Sequence, residues 1–120
     1  HGRIVKEAMA ARDLLAAREH RTGILLLEQL KPYAEVAEQV AALLPKKGCK
    51  LVFLEEEIRA GGFGMMLSDA LIRRGSMRDR PYAILATDDS FVCQARQEPI
   101  YRTAGVDAHA IAAEIRRLLP

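Results

Sequence analysis

Along this chain, short unbroken apolar runs alternate with stretches whose apolar residues recur every three or four positions. Ile24-Leu25-Leu26-Leu27, Leu51-Val52-Phe53-Leu54 and residues 82–86 are runs of the first kind, each near a glycine or proline. They read as strands buried on both faces, and a proline at position 81 is permitted because it opens its strand. Ile4, Ala8, Ala11 and Leu15 make residues 3–19 an amphipathic helix. Val36, Val40, Leu43 and Leu44 define a second helix, which Pro45 ends. Met66, Leu67, Ala70 and Leu71 mark a third, and Ile111, Ala112, Ile115 and Leu119 a last one with Asp107 as its N-cap. Strand–helix alternation of this sort predicts a three-layer α/β/α domain with a mostly parallel sheet, occupying residues 1–120 as one unit.

Composition narrows what such a domain does. Half of the 120 residues are apolar, which is enough for a core. The net charge is only +2, with both signs interspersed, and aromatic residues make up 5% with no Trp. A basic stripe or a stacking platform for nucleic acid is therefore not expected. The longest apolar candidate, 23–27, is far too short for a membrane span, and the charges of the first helix exclude a signal-peptide core. Cys49 and Cys93 form no C-x-x-C pair, and His1, His20 and His109 are scattered, so no zinc site follows from spacing. Two reduced cysteines filling small apolar spaces, in the cytoplasm, is the expectation.

In an open α/β sheet, ligands bind beyond the carboxyl ends of the strands. The most distinctive segment there carries Glu55-Glu56 and then Gly61-Gly62-Phe63-Gly64 at the start of a helix. Glycines before a helix leave N–H groups free for an anion, but no P-loop lysine follows and G-x-G-x-x-G is absent. Glu55 and Glu56 are either a general base or acceptors for the N–H groups of the loop. Asp88-Asp89 is half a metal site or turn chemistry. Met65, Met66 and Phe63 read as core at helical spacing, although an exposed Phe63 would suit a partner surface. Asp69 is placed to pair with Arg73 one turn on. No catalytic constellation emerges from spacing.

Taken together, several segments resemble one family. Gly2-Arg3-Ile4-Val5-Lys6-Glu7-Ala8 is similar to the start of the C-terminal domain of transketolase-like, thiamine-diphosphate-dependent enzymes. So are Lys31-Pro32, Leu54-Glu55-Glu56 with the 61–64 glycine loop, and Asp88-Asp89-Ser90-Phe91-Val92 followed by Ile100-Tyr101 and Gly105-Val106-Asp107. The details look most like the branch that condenses pyruvate with glyceraldehyde 3-phosphate, losing CO2, for isoprenoid precursors. The resemblance implies thiamine diphosphate and Mg2+ for the parent enzyme but none bound by this fragment. It implies a homodimer, with the preceding domains of the same enzyme as partners, and no nucleic acid or membrane. No catalytic, cofactor or metal residue is carried over. Lys31, Pro32, Glu55, Glu56, Gly61, Gly62, Phe63, Gly64, Asp88 and Phe91 are expected to pack or form interfaces.

Two departures stand out. The family has one or more strands before the residue matched by Gly2, so the chain is expected to be a piece of a longer one. A partner chain or a rearranged sheet would then cover the unpaired strand edge. At 93–97 the glycine that many relatives carry is absent. Two other functions compete: the same domain on a 2-oxo-acid dehydrogenase β subunit, docking an acyltransferase core, and a free-standing phosphate-binding module.

Overall fold

The computed structural model describes residues 2–46, 48–91 and 94–119. Its elements are α1 (Val5–Ala16), α2 (Tyr33–Leu43), β1 (Leu51–Ile58), α3 (Phe63–Arg73), β2 (Tyr82–Thr87), α4 (Gln97–Ala104) and α5 (Ala108–Leu118). β1 and β2 pair in parallel, with Leu51 opposite Tyr82 and Leu54 opposite Leu85. Because side chains alternate along a strand, this register sends Leu51 and Phe53 to one face and Leu54 and Leu85 to the other. On the first face they pack beneath α2 and α3, against Val36, Val40, Leu67 and Leu71. On the second, Leu54 and Leu85 meet Ala11 and Leu15 of α1, Ile111 and Ala112 of α5, and also Ile4, Tyr101 and Val106. The result is the expected α/β/α layering with a narrow, parallel central sheet.

The helices follow their apolar spacing. In α1 the 4, 8, 11, 15 stripe faces inward, with Ile4, Ala11 and Leu15 at 1% exposure or less. Asp107 caps α5 by accepting a 2.8 Å hydrogen bond from the Ala110 N–H. A second carboxylate, Glu7 of α1, takes the Ala108 N–H of the same helix at 2.8 Å. Two free donors of one helix end are thus satisfied from two different elements.

Three expectations are corrected. The run at 24–27 is not a strand. Ile24, Leu25 and Leu26 are 40–49% exposed, and only Leu27 packs against the core. Apolar content does not make a strand unless a neighbouring backbone supplies the ladder, and among the described residues β1 and β2 pair only with each other. Met65 and Met66 lie on the outer side of α3, half exposed, because Leu67 and Leu71 occupy its inner stripe. Cys49 is not a simple apolar filler: it is half-buried, and its sulfur accepts from the Arg80 guanidinium, which also donates to the Pro45 carbonyl. Helix α4, around the buried Tyr101, was not anticipated, since it carries a proline and little apolar periodicity. Pro99 is tolerated in the first turn, where N–H groups are unpaired in any case. Gly105, at φ 68°, ends α4 in the left-handed conformation that closes helices. The expectations for His1, Val92 and Cys93 lie outside the described residues.

Candidate functional site at the strand ends

The register of β1 changes where its glutamates begin. Leu54 pairs with Leu85 and Ile58 with Thr87, so Glu55, Glu56 and Glu57 stand opposite Ala86 alone. Such a bulge re-aims side chains at a sheet end. Glu55 and Glu56, as consecutive residues of the strand, point to opposite faces.

Glu55 points under α3. It is 1% exposed, and its Oε2 accepts a 2.9 Å hydrogen bond from the Gly64 N–H. The glycines are what allow the approach. A Cβ on Gly64 would lie 3.0 Å from Glu55 Oε1 and 3.1 Å from the Phe53 Cβ, and one on Gly62 would lie 2.4 Å from the Ile58 carbonyl. Gly61, at φ 76°, instead supplies the positive φ of the turn. Burial pushes the Glu55 carboxyl above the ordinary carboxylate range and the neighbouring Glu57 pushes it further, against the pull of the Gly64 and Phe63 N–H groups. A buried carboxylate of the chain itself therefore fills the anion cradle at this helix N-terminus.

Glu56 points the other way. It accepts from the Arg3 N–H at 3.2 Å and from the Tyr101 hydroxyl, and the Arg3 guanidinium stands 3.8 Å away. It thereby ties the start of α1 and the middle of α4 to the end of β1. Burial, and then the Glu56 hydrogen bond, raise the Tyr101 phenol above its usual range.

The other candidates sit around these clamps. Phe63 stacks at 6.1 Å on Tyr33, whose ring lies beneath the Lys31 ammonium at 5.7 Å, so Lys31 and the glycine turn are linked through one aromatic pair. The Pro32 carbonyl accepts from the Val36 N–H in the first turn of α2. Asp88 pairs with Arg59 at 3.5 Å, and Arg59 also donates to the Ile84 carbonyl at 2.7 Å. Phe91 joins none of them, being 98% exposed. Spacing did not reveal the roles of Tyr101, Arg59 and Glu7. Each is a long-range partner, and only the Ile100-Tyr101 pair in the family-like signature hinted at one of them.

Chemically, these carboxylates accept hydrogen bonds. Among the described residues no histidine bonds to either, and no three His, Cys, Asp or Glu side chains converge as metal ligands. A surface depression of about 260 Å³ lies between residues 25–29 and Gln39, Val40 and Leu43 of α2.

The class this defines is a three-layer α/β domain whose strand-end acids clamp its own helices. No protein-family model matches the chain. Curated relatives do, over 98% of its length. It is 30% identical to 1-deoxy-D-xylulose-5-phosphate synthase of Syntrophotalea carbinolica, 29% to that of Clostridium perfringens strain SM101 and 31% to that of Anaeromyxobacter sp. strain K. In each case the chain spans 18% of the relative's length. The chain is thus a homologue of one segment of proteins named 1-deoxy-D-xylulose-5-phosphate synthase.

Proposed function

We propose that the chain serves as the C-terminal packing and dimerisation domain of a 1-deoxy-D-xylulose-5-phosphate synthase. The parent enzyme, a thiamine-diphosphate-dependent transferase of the cytoplasm, condenses pyruvate with glyceraldehyde 3-phosphate and releases CO2 for isoprenoid precursors. The observation that carries this reading is the similarity along 98% of the chain to relatives bearing that name. The relatives' names favour it over a 2-oxo-acid dehydrogenase β subunit. The phosphate-module reading is disfavoured because Glu55 already occupies the N–H groups at the head of α3.

The residues here do not fit the parent's cofactors. Thiamine diphosphate needs donors for its diphosphate and ligands for Mg2+. The described residues offer no cluster of metal ligands, and the α3 terminus is filled by the chain's own carboxylate. The reaction is accordingly assigned to the rest of the parent. Lys31, Pro32, the 61–64 turn, Asp88 and Phe91 are assigned to packing and interfaces. No helix of the described residues is long and apolar enough to cross a membrane.

Two measurements test this reading. Sequencing upstream of His1 should find, in the same open reading frame, Gly-Asp-Gly followed by Asn about thirty residues on, a spacing that the resemblance implies. The 120-residue chain, supplied with thiamine diphosphate, Mg2+, pyruvate and glyceraldehyde 3-phosphate, should release no CO2. Turnover by this chain alone would overturn the assignment.

A further inference from the structure

Glu55 Oε1 is sealed from solvent and accepts no hydrogen bond, although Oε2 of the same carboxyl holds the Gly64 N–H at 2.9 Å. The corner around Oε1 is built on glycine. A Cβ on Gly64 would stand 3.0 Å from Oε1, 3.1 Å from the Phe53 Cβ and 3.2 Å from the Ile84 methyl. A Cβ on Gly62 would stand 2.8 Å from Oε1 and 2.4 Å from the Ile58 carbonyl oxygen. Oε1 and a backbone carbonyl oxygen therefore flank one point, where Gly62 has only hydrogen. Both oxygens are acceptors. An ionised carboxylate in this corner carries an uncompensated desolvation cost beside an oxygen that is itself negatively polarised. A carboxylic acid instead presents an O–H on that side and keeps a carbonyl oxygen for the Gly64 N–H.

We infer that Glu55 is a carboxylic acid in the folded chain, its proton on Oε1 toward the Ile58 carbonyl, and that this proton latches the 61–64 turn onto the end of β1. Among the described residues, the cations on the elements packed around Glu55 are engaged elsewhere. Arg59 is held by Asp88 and the Ile84 carbonyl, Arg73 by Asp69, and Arg74 by Glu38. Ser68, one turn on from Gly64, gives its hydroxyl proton to the Met65 carbonyl. β2 presents the Ile84 methyl. Glu56 lies on the opposite face with Arg3 and Tyr101. Glu57, exposed on β1 itself, is a like charge and adds to burial in raising the Glu55 carboxyl, against the pull of the Gly64 N–H. A carboxyl held more tightly protonated in the folded chain than in the unfolded one contributes stability that is complete below its unfolded pKa. That stability is lost as pH rises through the raised folded value. Above it the buried charge has no donor at Oε1, so Glu55 turns outward and releases the Gly64 N–H. The latch is closed in acid and opens with rising pH.

The test is a carboxyl-carbon NMR titration of the 120-residue chain, with hydrogen-exchange protection of the Gly64 amide followed over the same pH range, for the wild type and Glu55→Gln. The wild-type Glu55 carbon should titrate about a unit or more above the ordinary glutamate value. Protection at Gly64 should fall through the same midpoint. Glu55→Gln is permanently neutral, with a carbonyl for the Gly64 N–H and an amide where the O–H stands, so it should keep that protection across the range. Should Glu55→Gln fail to fold, the wild-type titration and the Gly64 amide decide by themselves. A Glu55 carbon already ionised at about pH 5 overturns the latch. So does a raised midpoint through which Gly64 protection stays constant, or a folded Glu55→Gln chain whose Gly64 protection still falls at that pH.

Discussion

Glu55 Oε2 and the Gly64 N–H lie 2.9 Å apart, joining the last buried residue of β1 to the first turn of α3 across a turn that contains three glycines. This contact requires both the carboxylate and the missing side chains. A larger residue at either of two glycines would displace the acid from the helix end.

The three glycine positions should therefore respond differently to alanine. Gly62→Ala drives a Cβ into the Ile58 carbonyl, a backbone atom that cannot swing aside, and should cost most, about 3 kcal/mol. Gly64→Ala meets Glu55, Phe53 and Ile84 at 3.0–3.2 Å and should cost ~1–3 kcal/mol. Gly61→Ala has open space but a φ of 76°, so only the left-handed backbone penalises it, by about 1 kcal/mol. Urea denaturation of the three variants checks the order, and Gly61→Ala as the worst would contradict it.

The α1–α5 junction should show two separable caps. Glu7→Ala frees the Ala108 N–H and Asp107→Ala frees the Ala110 N–H. Each should lower stability by about 1 kcal/mol. Amide hydrogen exchange should locate the two effects, with Ala108 exchanging faster only in the first variant and Ala110 only in the second.

Tyr101 should titrate late. Its buried hydroxyl donates to Glu56, and Gln97 donates to it at 2.5 Å, so the folded chain holds the phenolic proton to higher pH than the unfolded one does. The stability this contributes is complete below the unfolded pKa and disappears as pH climbs through the raised folded value. An absorbance titration of phenolate should show a component above the usual tyrosine range that Tyr101→Phe removes. The same substitution should cost about 1–2 kcal/mol at neutral pH, because Glu56 loses a donor.

Leucines should divide by burial and not by apolar run. Leu71, with no exposed surface beneath α3, should cost ~2–5 kcal/mol as alanine. Leu26, 49% exposed, should cost less than about 1 kcal/mol although its run looks the more strand-like. Equal losses in thermal denaturation would mean that residues 24–27 pack in solution as a buried strand.

The α/β layering, four of the five helices, both strands of the sheet and the Asp107 cap were legible because each rests on local periodicity or on a side chain bonding three residues away. The Glu55–glycine pairing was legible as a motif, but its meaning was not. The phosphate cradle and the hydrogen-bond acceptor read identically in one dimension, and only a Glu55 folded back against Gly64 separates them. Tyr101 with Glu56, and Arg59 with Asp88, were invisible because such pairs carry no spacing rule.

The sequence by itself determined the alternation of apolar period, and with it an α/β domain with its acids and glycines at the strand ends. Only the tertiary structure decided which apolar run joins the sheet and what the acids do there. A strand exists only where a second backbone accepts its hydrogen bonds, so residues 51–54 pair with β2 while the equally apolar 24–27 stay outside. A buried carboxylate takes whatever donors the fold brings to it. In this chain Glu55 takes the Gly64 N–H at the head of the chain's own α3.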